Sequence, residues 1–148
     1  MNRKWTTLAV TMSAVTLLAG GLSMAQDEAS PLAQIMEKVN AASAKITKAV
    51  RTPVAFKKAQ QDVVTGAGDL AELGKKARAI KDAIKSAKGV PDAEKKWNDL
   101  MDQMITASND LAKVAGQGSQ PEAKKANQVV KNACADCHKV FRVEDEDF

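Results

Sequence analysis

The chain has 148 residues, of which 27% are charged and only 3% aromatic, with no tyrosine and a formal net charge of +4. So small a surplus, with acidic residues interspersed among the basic ones, excludes the one-sign stripe of a nucleic-acid-binding protein despite a pI near 9.1. Abundant alanine, lysine and leucine, set against so few aromatic residues, favour helix over sheet.

Residues 1–25 read as an export signal. Arg3 and Lys4 give the positive start, the run from Leu8 to Leu22 is apolar, and Ser23-Met24-Ala25 supplies small residues for cleavage before Gln26. The alternative, an uncleaved membrane anchor, requires a longer run less interrupted by Thr and Ser. No cysteine follows the apolar run to carry a lipid. Cleavage leaves 26–148, the size of one domain with one core, and predicts a periplasmic protein with no stable membrane association. Without Arg3 and Lys4, twenty basic residues face 18 acidic ones, a net charge of +2.

Four helices are predicted. The first opens at Ser30-Pro31, an N-cap followed by proline at the first helical position, and carries Leu32, Ile35, Met36, Val39, Ala42, Ile46, Ala49 and Val50 on one stripe. It stops by Thr52, since Pro53 disfavours helix in the residue before it. The second is placed from about Ala59 to Ser86, with Val63, Ala67, Leu70, Gly74, Ala77, Ile80 and Ile84 inward, its start weakened by Gly66 and Gly68. Lys88-Gly89-Val90-Pro91 breaks the chain, and Asp92 caps a third helix carrying Trp97, Leu100, Met101, Met104, Ile105, Ser108 and Leu111. Gly116 and Gly118 end it. The fourth opens on the capping-box pattern Ser119-Gln120-Pro121-Glu122 and turns Ala126, Val129, Val130, Ala133, Cys134, Cys137 and Phe141 inward. Long helices with short connections imply an all-α, antiparallel up-down-up-down four-helix bundle.

Both cysteines and the single histidine of the chain fall in one five-residue run on the fourth helix, Cys134-Ala135-Asp136-Cys137-His138. This is the attachment pattern of a c-type haem. Two thiols add to the two vinyl groups of one porphyrin, and the adjacent imidazole reaches the iron from the same side. At i, i+3 and i+4 the three side chains share one helix face. Three other readings compete. Structural zinc lacks a fourth Cys or His ligand. A thioredoxin-like pair belongs at a helix start after a strand. A local disulfide is strained at i, i+3 within a helix. The sequence therefore implies one covalently bound haem c per chain, whose flat apolar body compensates for the shortage of aromatic residues.

With these elements in place, the mature chain resembles the class II c-type cytochromes, the cytochrome c prime family. The resemblance is sharpest over Cys134-Ala135-Asp136-Cys137-His138-Lys139-Val140-Phe141-Arg142, and Trp97 stands where the family often has tryptophan. It implies a four-helix bundle with haem near the C-terminus, His138 as proximal iron ligand, thioethers from Cys134 and Cys137, and Arg142 near the haem. It also aligns Ile35-Met36-Glu37-Lys38-Val39-Asn40 with the site facing the sixth iron position. Members with methionine there are six-coordinate electron carriers, so Met36 is the candidate distal ligand. Members with a non-ligating residue are five-coordinate binders of nitric oxide or carbon monoxide, which is the alternative function. Met36 also lies on the apolar stripe, where it could serve as a flexible core filler, and Met101 and Met104 are rival thioethers. The arginine common one turn before the distal residue is Leu32 here. The haem propionates must then find other partners, with Lys38 and Lys45 as candidates.

These features predict a periplasmic electron carrier cycling between Fe(III) and Fe(II), with redox proteins as partners and no nucleic acid. No enzyme is implied, since no acid, base or nucleophile constellation stands apart from the haem motif. The lysine pairs Lys57-Lys58, Lys75-Lys76, Lys95-Lys96 and Lys124-Lys125 read as solvated helix surface, with salt-sensitive docking to an acidic partner as the alternative. The tail Glu144-Asp145-Glu146-Asp147 opposes the helix dipole and is expected to fray. Dimerisation through the first two helices is common in the family. Their polar sides are ordinary here, so the sequence does not choose between monomer and homodimer.

Overall fold

The computed structural model describes residues 29–142 apart from Lys88, so the export signal and the acidic tail lie outside the described residues. Five helices follow in order: α1 (Pro31–Ala49), α2 (Pro53–Arg78), α3 (Asp82–Ser86), α4 (Ala93–Gly116) and α5 (Gln120–Phe141). No strand occurs among the described residues, and none of their helices is long and apolar enough to cross a membrane.

Local chemistry sets most of the boundaries. The Ser30 hydroxyl accepts the amide of Ala33 at 3.2 Å, with Pro31 at the first helical position. The second helix starts six residues before the expected Ala59, because Thr52 caps it by accepting the amide of Ala55 at 3.2 Å. Ala59 is instead a kink inside α2, with φ −117° and ψ 17°. That helix also ends at Arg78 rather than Ser86. The indole Nε1 of Trp97 donates to the Arg78 carbonyl at 3.3 Å, giving this helix-end acceptor a partner where the helix stops. The chain then restarts as the short α3. Asp92 and Ser119 both occupy N-cap positions without a side-chain cap bond, so the capping box is not formed as drawn. Asp92 has left-handed backbone, φ 46°.

Contacts between remote residues fix the directions of the long helices. Gln60 near the start of α2 donates to the carbonyls of Ala115 and Gly116 at the end of α4, at 2.8 and 3.3 Å. At the other end, Trp97 near the start of α4 reaches Arg78 at the end of α2. Gln120 at the start of α5 donates to the Val50 carbonyl just past α1, at 2.6 Å. These pairs run antiparallel, as does the α1–α2 hairpin, giving the expected bundle of α1, α2, α4 and α5. Packing is extensive between α1 and α2, α2 and α4, and α4 and α5, while α1 and α5 touch little.

The core has two parts. The larger joins Ile46, Phe56, Val63, Leu70, Leu111 and Val130 toward one end of the bundle. The second gathers Ala77, Ala83, Trp97, Leu100, Met101, Cys137 and Phe141 at the other end, with Leu32, Ile35 and Met36 packed against it. Val129 does not face inward as expected. It is 56% exposed, one position off the stripe that Ala123, Asn127, Val130, Ala133 and Cys137 define. The four lysine pairs are exposed, and Lys75 and Lys95 are held by Glu72 and Asp99 on their own helices, as a solvated surface requires.

Candidate haem site

The last two turns of α5 bring Cys134, Cys137 and His138 to one face, with Cys137 buried, Cys134 half-buried and His138 exposed. The thiols are unbridged. Burial pushes both thiols upward, and with the neighbouring Cys134 charge it takes Cys137 to about 11. Both cysteines are thus neutral thiols near pH 7. Burial also lowers the His138 imidazole, helped by the Arg142 guanidinium beside it. The neutral imidazole so favoured is the form that can ligate a metal. Arg142 closes the helix, its backbone N–H donating to the His138 carbonyl at 3.0 Å.

Two cavities meet at this motif. One, of about 510 Å³, is lined by Ser30, Leu32 and Ala33 of the α1 entrance, Ala83 of α3, Trp97 of α4 and Phe141 of α5. The other, of about 320 Å³, is lined by Val39, Asn40 and Ser43 of α1, Met101 and Met104 of α4, and Cys134 of α5. Met36, Cys137, His138 and Arg142 border both. The cavities are therefore two lobes of one crevice, opened where α1 and α5 touch little, with Met36 on one wall and His138 on the other.

The crevice suits a haem. Its volume lies in the range of sites for compact cofactors, and its walls are mostly apolar with a few polar groups at defined places. Its donor set comprises two thiols, one imidazole and a thioether, the groups that c-type haem chemistry uses. Structural zinc fares worse, since the described residues contain no group of three or more Cys, His, Asp or Glu side chains that could hold a metal ion.

The structure sorts the other sequence-predicted residues as well. Met101 and Met104 are both in the core, 1% and 2% exposed. The Met104 sulfur lies 3.8 Å from where a Cβ on Gly74 of α2 would stand, which marks it as packing against that helix. Met36 is the half-buried thioether that both lobes share. Trp97 is buried against the crevice. Lys38 and Lys45 are exposed on α1 and line neither lobe, whereas Arg142 lines both. Sequence reasoning missed Ala83, because it lies beyond a helix break carrying neither Gly nor Pro. It also missed Asn40 and Ser43, although their places at i+4 and i+7 from Met36 signal a shared face.

A helical bundle whose last helix presents Cys-x-x-Cys-His to an apolar crevice defines the class of c-type cytochromes. Within it, the family model described as Cytochrome C' matches residues 33–142, and the chain belongs to this class II c-type cytochrome family. No curated protein and no solved structure matches the chain.

Proposed function

We propose that the chain is a monohaem c-type cytochrome that carries electrons in the periplasm, exported by residues 1–25 and cleaved before Gln26. One observation carries this reading: Met36 on α1 and His138 on α5 border the same two lobes of one crevice, from helices that otherwise touch little. When bound, the haem supplies one-electron cycling between Fe(III) and Fe(II). The chain's own residues do the rest. Cys134 and Cys137 would anchor the porphyrin through thioethers, and His138 would hold the iron from the proximal side. Met36 would offer a neutral, soft sulfur from the distal side, a ligand that favours the ferrous state and raises the potential. Trp97, Phe141 and Leu32 give the crevice an apolar wall, which would strengthen the influence of nearby fixed charges and dipoles on the iron. Redox proteins are the partners this reading requires, and homodimerisation is compatible with it.

A haem stain after denaturing electrophoresis tests covalent attachment, since only thioether-bound haem migrates with the polypeptide. The ferric spectrum tests the sixth ligand. Electron carriage through Met36 is expected to give a low-spin spectrum with the charge-transfer band of methionine ligation, lost in Met36→Ala. A high-spin ferrous protein that takes up carbon monoxide without displacing a protein ligand would instead assign the chain to gas binding.

A further inference from the structure

The smaller lobe of the crevice contains a polar group that neither the attachment motif nor the distal methionine explains. Its α1 wall consists of Met36, Val39, Asn40 and Ser43, and its α4 wall of Met101 and Met104. Asn40 follows Met36 by four residues, so the two side chains are neighbours on one helix face, with Cβ atoms about 5–6 Å apart. Its side chain is exposed at the rim of that lobe and its amide makes no hydrogen bond to the rest of the described protein, so both N–H donors are available to a neighbouring acceptor. A thioether sulfur accepts hydrogen bonds weakly, and Met36 borders that lobe beside it.

We propose that Asn40 is a positioning residue for the sixth iron ligand, its side-chain amide donating to the Met36 sulfur and holding it toward the position opposite His138. This role rests on iron ligation by Met36. Met36 is unbranched and has several rotatable bonds, so a fixed donor one turn away selects among its rotamers. Holding the thioether in place would keep a ligand that favours ferrous iron and raises the potential. Ser43 lies a further turn along the same wall and cannot be Met36's neighbour at helical spacing.

The test uses the haem-loaded protein and measures the reduction potential, the ferric charge-transfer band and the affinity for added imidazole, which competes for the sixth position. Asn40→Ala is expected to lower the potential, weaken the band and bind imidazole roughly two- to tenfold more tightly, the equivalent of one neutral hydrogen bond. Asn40→Gln, which keeps the amide, is expected to recover part of all three shifts. Lys38→Ala, on an exposed side chain outside both lobes, is expected to change none of them. Asn40→Ala with unchanged potential and imidazole affinity would overturn the role of Asn40 while leaving Met36 ligation intact. A wild-type ferric spectrum without the methionine band removes Met36 ligation itself, and this role with it. Since Asn40 is exposed and carries no packing of its own, its substitution leaves the fold and the haem stain unchanged.

Discussion

Trp97 and Phe141 meet edge to face, their ring centroids 5.1 Å apart and their planes at 83°. The contact joins the start of α4 to the end of α5 and walls the larger lobe of the crevice. It therefore places two tasks on one pair: closing the bundle end, and fixing the helix turn that carries His138. Phe141→Ala is expected to cost about 3 kcal/mol, the lower end for a buried aromatic because the site lies at a helix terminus. Trp97→Phe keeps most of the apolar body but loses the bond to the Arg78 carbonyl, and is expected to cost about 1 kcal/mol. Urea unfolding of the two variants beside the wild type measures both. Equal losses would show that the indole N–H, rather than the ring contact, closes this end.

Two glycines of α2 make opposite predictions from the same chemistry. Glycine inside a helix is destabilising by about 0.5–1 kcal/mol relative to alanine. A Cβ at Gly68 would meet nothing within 4 Å, so Gly68→Ala is expected to stabilise the protein by about that amount. A Cβ at Gly74 would stand 2.9 Å from Cγ1 of Ile105 on α4. Ile105 is β-branched and holds one preferred rotamer in a helix, so it yields little. Overpacking of this kind costs about 1–3 kcal/mol and outweighs the propensity gain. Gly74→Ala is expected to melt below the wild type and Gly68→Ala above it, by calorimetry.

Gln60 closes the far end of the bundle by donating to the last carbonyls of α4, at Ala115 and Gly116. Gln60→Ala is expected to cost about 1 kcal/mol, since the buried Ala115 carbonyl keeps the Gly118 N–H as a donor and the exposed Gly116 carbonyl can turn to water. Gln60→Glu is more informative. Its carboxylate only accepts, and would face two carbonyls at the negative end of the α4 dipole. It is expected to cost more than alanine at pH 7 and to recover at pH 4, where the protonated acid donates again. Denaturant midpoints at the two pH values check the reversal.

The bundle was legible because its signals are local. Ser30-Pro31 sets the first helix start, the glycines after Ala115 set the end of α4, and one apolar stripe runs through Ala133 and Cys137 on α5. The attachment motif was legible for the same reason, since Cys134, Cys137 and His138 share a face by spacing alone. What escaped depends on contacts between remote residues. The break after Arg78 has no Gly or Pro beside it, and the carbonyl at the break is capped by Trp97, nineteen residues away. Ala83 reaches the crevice only because of that break. Val129 and Val130 are equally apolar, and only the packing of α4 on α5 decides which one is buried. The lining role of Asn40 shows the converse case, a polar residue whose spacing from Met36 was visible but whose cavity was not.

Covalent haem should change the alkaline stability of the protein in a definable direction. In the haem-free chain, burial raises Cys134 and Cys137 above the ordinary thiol value of 9.0, Cys137 to about 11. The folded state thus favours the neutral thiols, while the unfolded chain ionises them near 9. The contribution is fully present below about pH 9, where both states are protonated, and is lost as pH rises through about 11. Thioethers do not titrate. Haem-free protein is therefore expected to lose stability between pH 9 and 11, whereas that limb is absent from the haem-loaded protein. Urea unfolding across this range, with Cys134→Ser/Cys137→Ser as a control lacking both thiols, separates the cysteine contribution from the general loss caused by deprotonating lysines. An alkaline limb of equal size in the haem-free protein and in this control would show that the thiols make no contribution to it.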